Sequence, residues 1–183
     1  RLDRWVREDV PPPSSRVPSI ENGTAAKSGE VRDKFPNIPG VARLFEINEV
    51  YLQDHGDGFD KGMLDKEPPI EHLGKKYSLY VSRIDQDGNE IAGIQTPNIA
   101  APLATYTGWN MRPFGNAENA PAGTTGSYFP FAATENTRQR NNDPRLSIEA
   151  RYSSVDDYVR VISNAAIKLR EDGLLLEEDV ERY

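Results

Sequence analysis

The chain has 183 residues and a formal charge of -7, from 22 Lys and Arg against 29 Asp and Glu, with no cysteine. The acidic balance excludes a phosphate-backbone reader, which needs a basic stripe, and no run of about 18 apolar residues exists to span a membrane. The missing cysteine excludes disulfides, thiolate nucleophiles and thiolate metal sites, and leaves the compartment open.

Leu2, Trp5 and Val6 stand at i, i+3 and i+4, which predicts a helix over residues 1–9 with Asp3, Arg4, Arg7 and Glu8 on its polar side. No capping residue precedes Leu2, so the helix reads as the end of an element that begins upstream. Its apolar face is expected to turn inward, with Trp5 buried against protein outside the first forty residues. Pro11, Pro12 and Pro13 stop the helix and favour an extended course. Residues 10–40 then read as a Pro- and Gly-rich strap, in which "ENGTAAKSGE" and "FPNIPG" place turn residues at close intervals.

Residues 41–183 read as a C-terminal extension. Val41 to Leu52 is rich enough in β-branched and aromatic residues for one or two strands, with a helix as the alternative. In "KYSLYVSRIDQDGNEIAGIQ", Tyr77, Leu79 and Val81 alternate with polar residues, and Ile91 and Ile94 follow a turn over Asp85 to Glu90, which predicts a β-hairpin. Thr96 to Phe131 lacks periodicity, and such a stretch in a compact protein is functional or packed on other structure. Ser147 is placed to cap a short helical turn, and Ser153 with Asp156 resembles a capping box. Val155, Tyr158, Val159, Ile162, Ala166 and Leu169 mark one face of a longer helix that Gly173 stops. Glu177, Glu178 and Asp179 open a further helix, with negative charge at its positive dipole end. Leu, Ile, Val and Phe make up only about 22% of the chain, near the roughly 20% at which charged chains stop folding alone, so the core should be thin.

Candidate chemistry is sparse. No G-x-S-x-G turn exposes a serine, and "GTTGSYFPF" lacks the glycine two residues after Ser127, which reads as a loop serine. Asp54, His55, Asp57 and Asp60 in "DHGDGFD" gather oxygens and an imidazole of the kind that hold a cation, and equally suit a solvated loop. His72 has no evident partner. "ATYTGWNMRPFG" is the stretch best suited to meet a ligand: Tyr106, Thr107, Trp109, Asn110 and Arg112 offer hydrogen-bonding groups beside flat apolar surfaces. The competing reading has Tyr106 and Trp109 plugging a core or an interdomain seam. No catalytic residue, metal ligand or cofactor motif is assigned.

Several stretches taken together, "LDRWVREDVPPPSSRVPSIENGT", "FPNIPGV", "LGKKYSLYVSRIDQDGNEIAGI", "APLATYTGWNMR", "GSYFPFAAT", "DPRLSIEARY" and "LLLEEDVERY", resemble in this order the C-terminal portion of a family of bacterial α/β-hydrolase domain proteins. A distantly related arrangement occurs in tannase-like esterases. The resemblance implies an α/β fold in which the serine elbow, its acid and the histidine all precede the L-D-R-W-V helix, so no catalytic residue is carried over. It implies that residues 1–9 are the last helix of a hydrolase core and that "PPPSS" is the exit into the extension. The expected role is a noncatalytic C-terminal part of a serine-type hydrolase acting on an ester or similar acyl bond. It would buttress a missing N-terminal core, with Tyr106, Thr107, Trp109 and Asn110 lining the pocket for a small ester-like substrate. A periplasmic or secreted bacterial location stays open. A self-sufficient, noncatalytic binding or interaction module is the competing function, and a cation-dependent enzyme built on Asp54 to Asp60 a third.

Overall fold

The computed structural model describes residues 2–42, 50–112, 115, 117, 120–122 and 125–183. The chain is a mixed α/β structure whose elements run in order α1 (Leu2–Glu8), β1 (Ala25–Lys27), α2 (Ser28–Lys34), β2 (Tyr51–Asp54), β3 (Ile70–Lys76), β4 (Tyr80–Ser82), α3 (Pro97–Ala100), β5 (Ala104–Thr107), β6 (Ser127–Pro130), α4 (Glu135–Arg140), α5 (Ile148–Arg151), α6 (Val155–Glu171) and α7 (Glu177–Val180). The strands form three antiparallel pairs: β1 with β4, β2 with β3, and β5 with β6.

Helix α1 forms where its periodicity places it, held by the exposed i,i+4 pairs Arg7–Asp3 and Arg4–Glu8. Its apolar face is not covered by this chain: Trp5 is 49% exposed, and Leu2 and Val6 more so. The inward turn expected of Trp5 is thus absent among the described residues. The strap stays extended through residue 19, and Arg16 ties it to Asp172 beyond α6 at 2.6 Å. It then departs from expectation, because "TAAKSG" supplies both β1 and the start of α2. Ala25 and Ala26 are buried where β1 pairs with β4, small enough to let α2 follow without a loop.

The predicted hairpin is also corrected. The hairpin forms only beside its turn, where the Ile91 N–H bonds the Arg83 carbonyl at 2.9 Å, while the ladder of β4 itself is made with β1, nearly sixty residues away in sequence. The turn itself forms as read: Asp85 Oδ1 accepts the backbone N–H groups of Asp87 and Asn89, each at 2.9 Å, and a single bridge joins Ile84 to Glu90. Residues 43–49, part of the Val41–Leu52 segment, lie outside the described residues, and Tyr51–Asp54 is strand as expected. The stretch from Thr96 to Phe131 contains α3 and both strands of the β5–β6 ladder, so it is not free of regular pairing.

The C-terminal third follows the sequence closely. Ser147 caps α5 by accepting the Ala150 N–H. The box at α6 sits one residue later than the spacing suggested: Ser154 accepts the Asp157 N–H at 3.0 Å, while Asp157 reaches back to Ser153. Ile162, Ala166 and Leu169 are buried and α6 packs on α3 and α7, whereas Val155 and Val159 at its first turns face solvent. Gly173, at φ +74°, ends the helix, with the Leu174 N–H returned to the Leu169 carbonyl.

The core is thin as expected, and several of its apolar members are alanines. At its centre lies a polar cluster. The Arg145 guanidinium is 2% exposed and spends every donor: Nε and Nη2 on Asp143 at 3.0 and 2.7 Å, Nη1 on Thr105 Oγ1 and the Phe129 carbonyl at 2.9 Å each, and Nη2 again on the Pro130 carbonyl at 3.2 Å. Thr105 passes its own proton to the Asp87 carbonyl, and Arg151 pairs with the Asp87 carboxylate. The Phe131 ring centroid lies 5.1 Å from the guanidinium of Arg145 and 4.0 Å from that of Arg151.

Removing one partner of so buried a pair strands the other charge, so Arg145→Leu should cost about 3–5 kcal/mol in urea unfolding. Arg16→Ala, which breaks an exposed pair, should cost no more than about 1 kcal/mol. Acid should act through the same region. Hydrogen bonds from Arg138 and Gln139 bring Glu135 from 4.5 down to about 2. Burial pushes Asp143 up, but the hydrogen bonds and charge of Arg145 outweigh it and the net shift is downward. Both groups are depressed in the folded state, so their stabilisation is present above their unfolded values and lost as pH falls through the folded ones. Melting temperature should therefore fall on acidification from about pH 5 toward pH 2, with a shallower fall in Glu135→Gln.

Candidate functional site

Most of the residues of "ATYTGWN" close one end of a cleft. Helix α2 follows β1 directly, and its Ser28 N–H bonds the Leu79 carbonyl at 3.0 Å, which lays the helix against the start of β4. Ser28, Val31, Arg32 and the following Phe35, at i, i+3, i+4 and i+7, share one face and form one wall. Val81 and Ser82 of β4 and Ile84, Gly88 and Glu90 of the turn form the floor. Tyr106, Thr107, Gly108 and Trp109, at the end of β5, form the far wall of a cavity of about 140 Å³.

The turn is shaped for this closeness. Gly88 takes φ +85°, and a Cβ there would stand 3.0 Å from Phe35 Cε2 and 3.1 Å from Pro36 Cγ and Cδ. Asn89, 1% exposed, lies along the free edge of β5 and pairs with it as a strand would: Nδ2 donates to the Ala104 carbonyl at 3.1 Å, and Oδ1 accepts the Tyr106 N–H at 2.8 Å. On the other edge, the Thr107 hydroxyl donates to the Trp109 carbonyl at 2.6 Å and accepts the Ser127 N–H at 3.2 Å. The Trp109 ring stands 5.4 Å from Phe35 and 6.2 Å from Phe129. Burial, then Tyr128 and Tyr158, push the Tyr106 phenol above its ordinary range, so it serves as a neutral hydroxyl.

Of the four residues picked as pocket-lining, Tyr106, Thr107 and Trp109 border this cleft. Asn110 does not: its Oδ1 accepts the Met111 N–H at 2.8 Å and its carbonyl accepts the Ala122 N–H, and so it organises the loop between β5 and β6. Val31, Phe35, Val81 and Ile84 were missed. The helical spacing of α2 stands in the sequence, but the Gly, Ser and Pro around it carry the pattern of a strap.

The other candidates are committed to local structure. The Ser127 hydroxyl donates to the Trp109 carbonyl at 3.0 Å. His55 stacks on Phe59 at 4.5 Å just after β2, and His72 lies within β3, so both imidazoles belong to the β2–β3 ribbon. Asp54 pairs with Lys66 and accepts the Gly56 N–H, which hold its carboxyl below the usual range. Among the described residues no three metal-ligating side chains come together, and no helix there is long and apolar enough to cross a membrane.

One glycine tests the β5 end of the cleft. A Cβ on Gly126 would stand 2.2 Å from the Thr107 carbonyl oxygen, a backbone atom that cannot swing away. Gly126→Ala should lower stability by about 1–3 kcal/mol in denaturant titration, and should quench or shift the Trp109 fluorescence relative to the parent.

Comparison with known proteins bears on what this cleft belongs to. No curated protein and no solved structure gives a match, but the model of one family, described as alpha/beta hydrolase domain, matches residues 1–183. That span covers the strap, the cleft and the C-terminal helices alike, and it supports a hydrolase-type function in general. The chain belongs to the alpha/beta hydrolase domain family.

Proposed function

We propose that this chain is the C-terminal, noncatalytic part of a serine-type α/β-hydrolase that acts on an ester or similar acyl bond. In this reading a preceding core supplies serine, histidine and acid, and residues 28–109 supply one wall of the substrate pocket. The observation that carries it is the disposition of nucleophile and base candidates. An acyl-transfer serine needs an imidazole within hydrogen-bond reach and an acid that orients it, whereas the Ser127 proton is spent on the Trp109 carbonyl and both histidines sit on a separate ribbon. The open Leu2–Trp5–Val6 face supports the same reading, since burying such a surface is what packing on a core would achieve. Within that wall Trp109 is a flat surface and Tyr106 and Thr107 are rim groups; Asn110 acts on them only through the loop it organises.

One observation favours a second reading. Residues of α2, β4, the turn after it and β5 line the cleft on three sides, as a self-sufficient binding module would need.

The two readings separate in one set of measurements. Purified Arg1 to Tyr183, treated with short activated esters and a serine-directed fluorophosphonate, should show neither turnover nor labelling; stoichiometric labelling of any serine here would overturn the noncatalytic assignment. The native protein should have an intact mass well above 20.5 kDa. In it, Trp109→Ala should lower kcat/KM roughly tenfold, about 1.4 kcal/mol of transition-state stabilisation, while the serine still labels. A native mass of 20.5 kDa would favour the binding module.

A further inference from the structure

The walls and size of the cleft also say what fits it. We propose that the Phe35–Trp109 cleft binds a single neutral aromatic ring, the aryl portion of the substrate; this deepens the pocket-wall reading above and rests on it.

Size sets the first limit. The space of about 140 Å³ is close to the roughly 150 Å³ of an apolar cavity that admits benzene. The walls set the second. Val31, Val81 and Ile84 give aliphatic surface, and Phe35 and Trp109 meet at 5.4 Å with their planes 59° apart, a tilted pair to which a third ring can add edge to face.

The polar groups set the third limit, because two of the hydroxyls inside are already satisfied. The Ser82 hydroxyl donates to the Arg83 carbonyl and accepts the Ala92 N–H, and the Thr107 hydroxyl donates to the Trp109 carbonyl. A sugar or a free carboxylate entering here would lose its water without gaining partners from these groups. Arg32 is engaged with Asp33, and the negative charge of Glu90, an exposed lining residue, disfavours an anion. A neutral ring loses little on desolvation and gains the stacked walls.

The test needs no catalysis. Residues 1–183 hold Trp5 and Trp109, so in the native protein labelled with 5-fluorotryptophan their fluorine resonances are assigned by loss in Trp5→Phe and Trp109→Phe. Titration with benzyl alcohol should shift the Trp109 resonance saturably, with a dissociation constant on the order of 1 mM for so small a ligand, and leave Trp5 unmoved. Cyclohexylmethanol, alike in size but without the ring, should bind at least about fivefold more weakly, and Val31→Trp, which fills the cleft, should abolish the shift. Val31→Leu, a milder filling, should weaken it if the larger change impairs folding. No saturable shift, or equal binding of the two alcohols, overturns the proposal. If benzyl alcohol fails while Trp109→Ala still lowers kcat/KM, the ring assignment falls and the pocket wall stands; if benzyl alcohol binds and kcat/KM is unmoved, the wall reading falls instead.

Discussion

The fold hangs on a buried guanidinium. Arg145 directs its donors to four places: the Asp143 carboxylate, the Thr105 hydroxyl, and the Phe129 and Pro130 carbonyls. Because Thr105 is on β5 and hands its proton to the Asp87 carbonyl, the same contact that locks β5 to β6 also fixes the turn before it. Arg151 closes the circuit from α5 to the Asp87 side chain, with the Phe131 ring near both arginines. A core whose apolar members include several alanines has little shape with which to specify one arrangement. A fully satisfied polar network supplies that specificity through direction, since a guanidinium fork accepts few geometries.

The cleft inherits this rigidity on one side only. Its floor and far wall are the turn over Asp85 to Glu90 and the end of β5, held by Asn89 on one edge and by β6 and the Ser127 hydroxyl on the other. Its near wall is α2, a seven-residue helix with no buried residue, anchored at Ser28 and by the exposed Arg83–Glu30 pair. A fixed floor beneath a lightly held helix is an arrangement in which a ligand orders one wall without disturbing the other.

Much apolar surface lies outside that centre. Leu2, Trp5 and Val6 on α1, and Phe59, Met63, Leu64, Ile70 and Leu73 around the β2–β3 ribbon, are all exposed. Two-stranded ribbons are marginal alone in water, and this one keeps its shape through the β2–β3 ladder, the Lys66–Asp54 pair and the His55–Phe59 stack. Both patches lie apart from the Arg145 network, on elements that the centre does not need.

What the sequence by itself determined is the local structure whose causes lie within a few residues. The Ser147 cap, the period of α6, the Gly173 stop and the Asp85 turn follow from side chains bonding nearby backbone and from 3.6-residue spacing, none of which needs a distant partner. The α/β class was legible through resemblance along the whole chain, and Tyr106, Thr107 and Trp109, which their chemistry suggests as pocket-lining, border the cleft. What only the tertiary structure decided is pairing across distance. β4 is as compatible with Ile91 to Ile94 as with Ala25 to Lys27 on alternation alone, and the structure pairs it with β1, where Ala25 and Ala26 are buried. Asn89 and Arg145 look like ordinary turn and loop residues in sequence, since a polar side chain takes its role from the backbone edge it meets, and that edge exists only once β5 and β6 have paired.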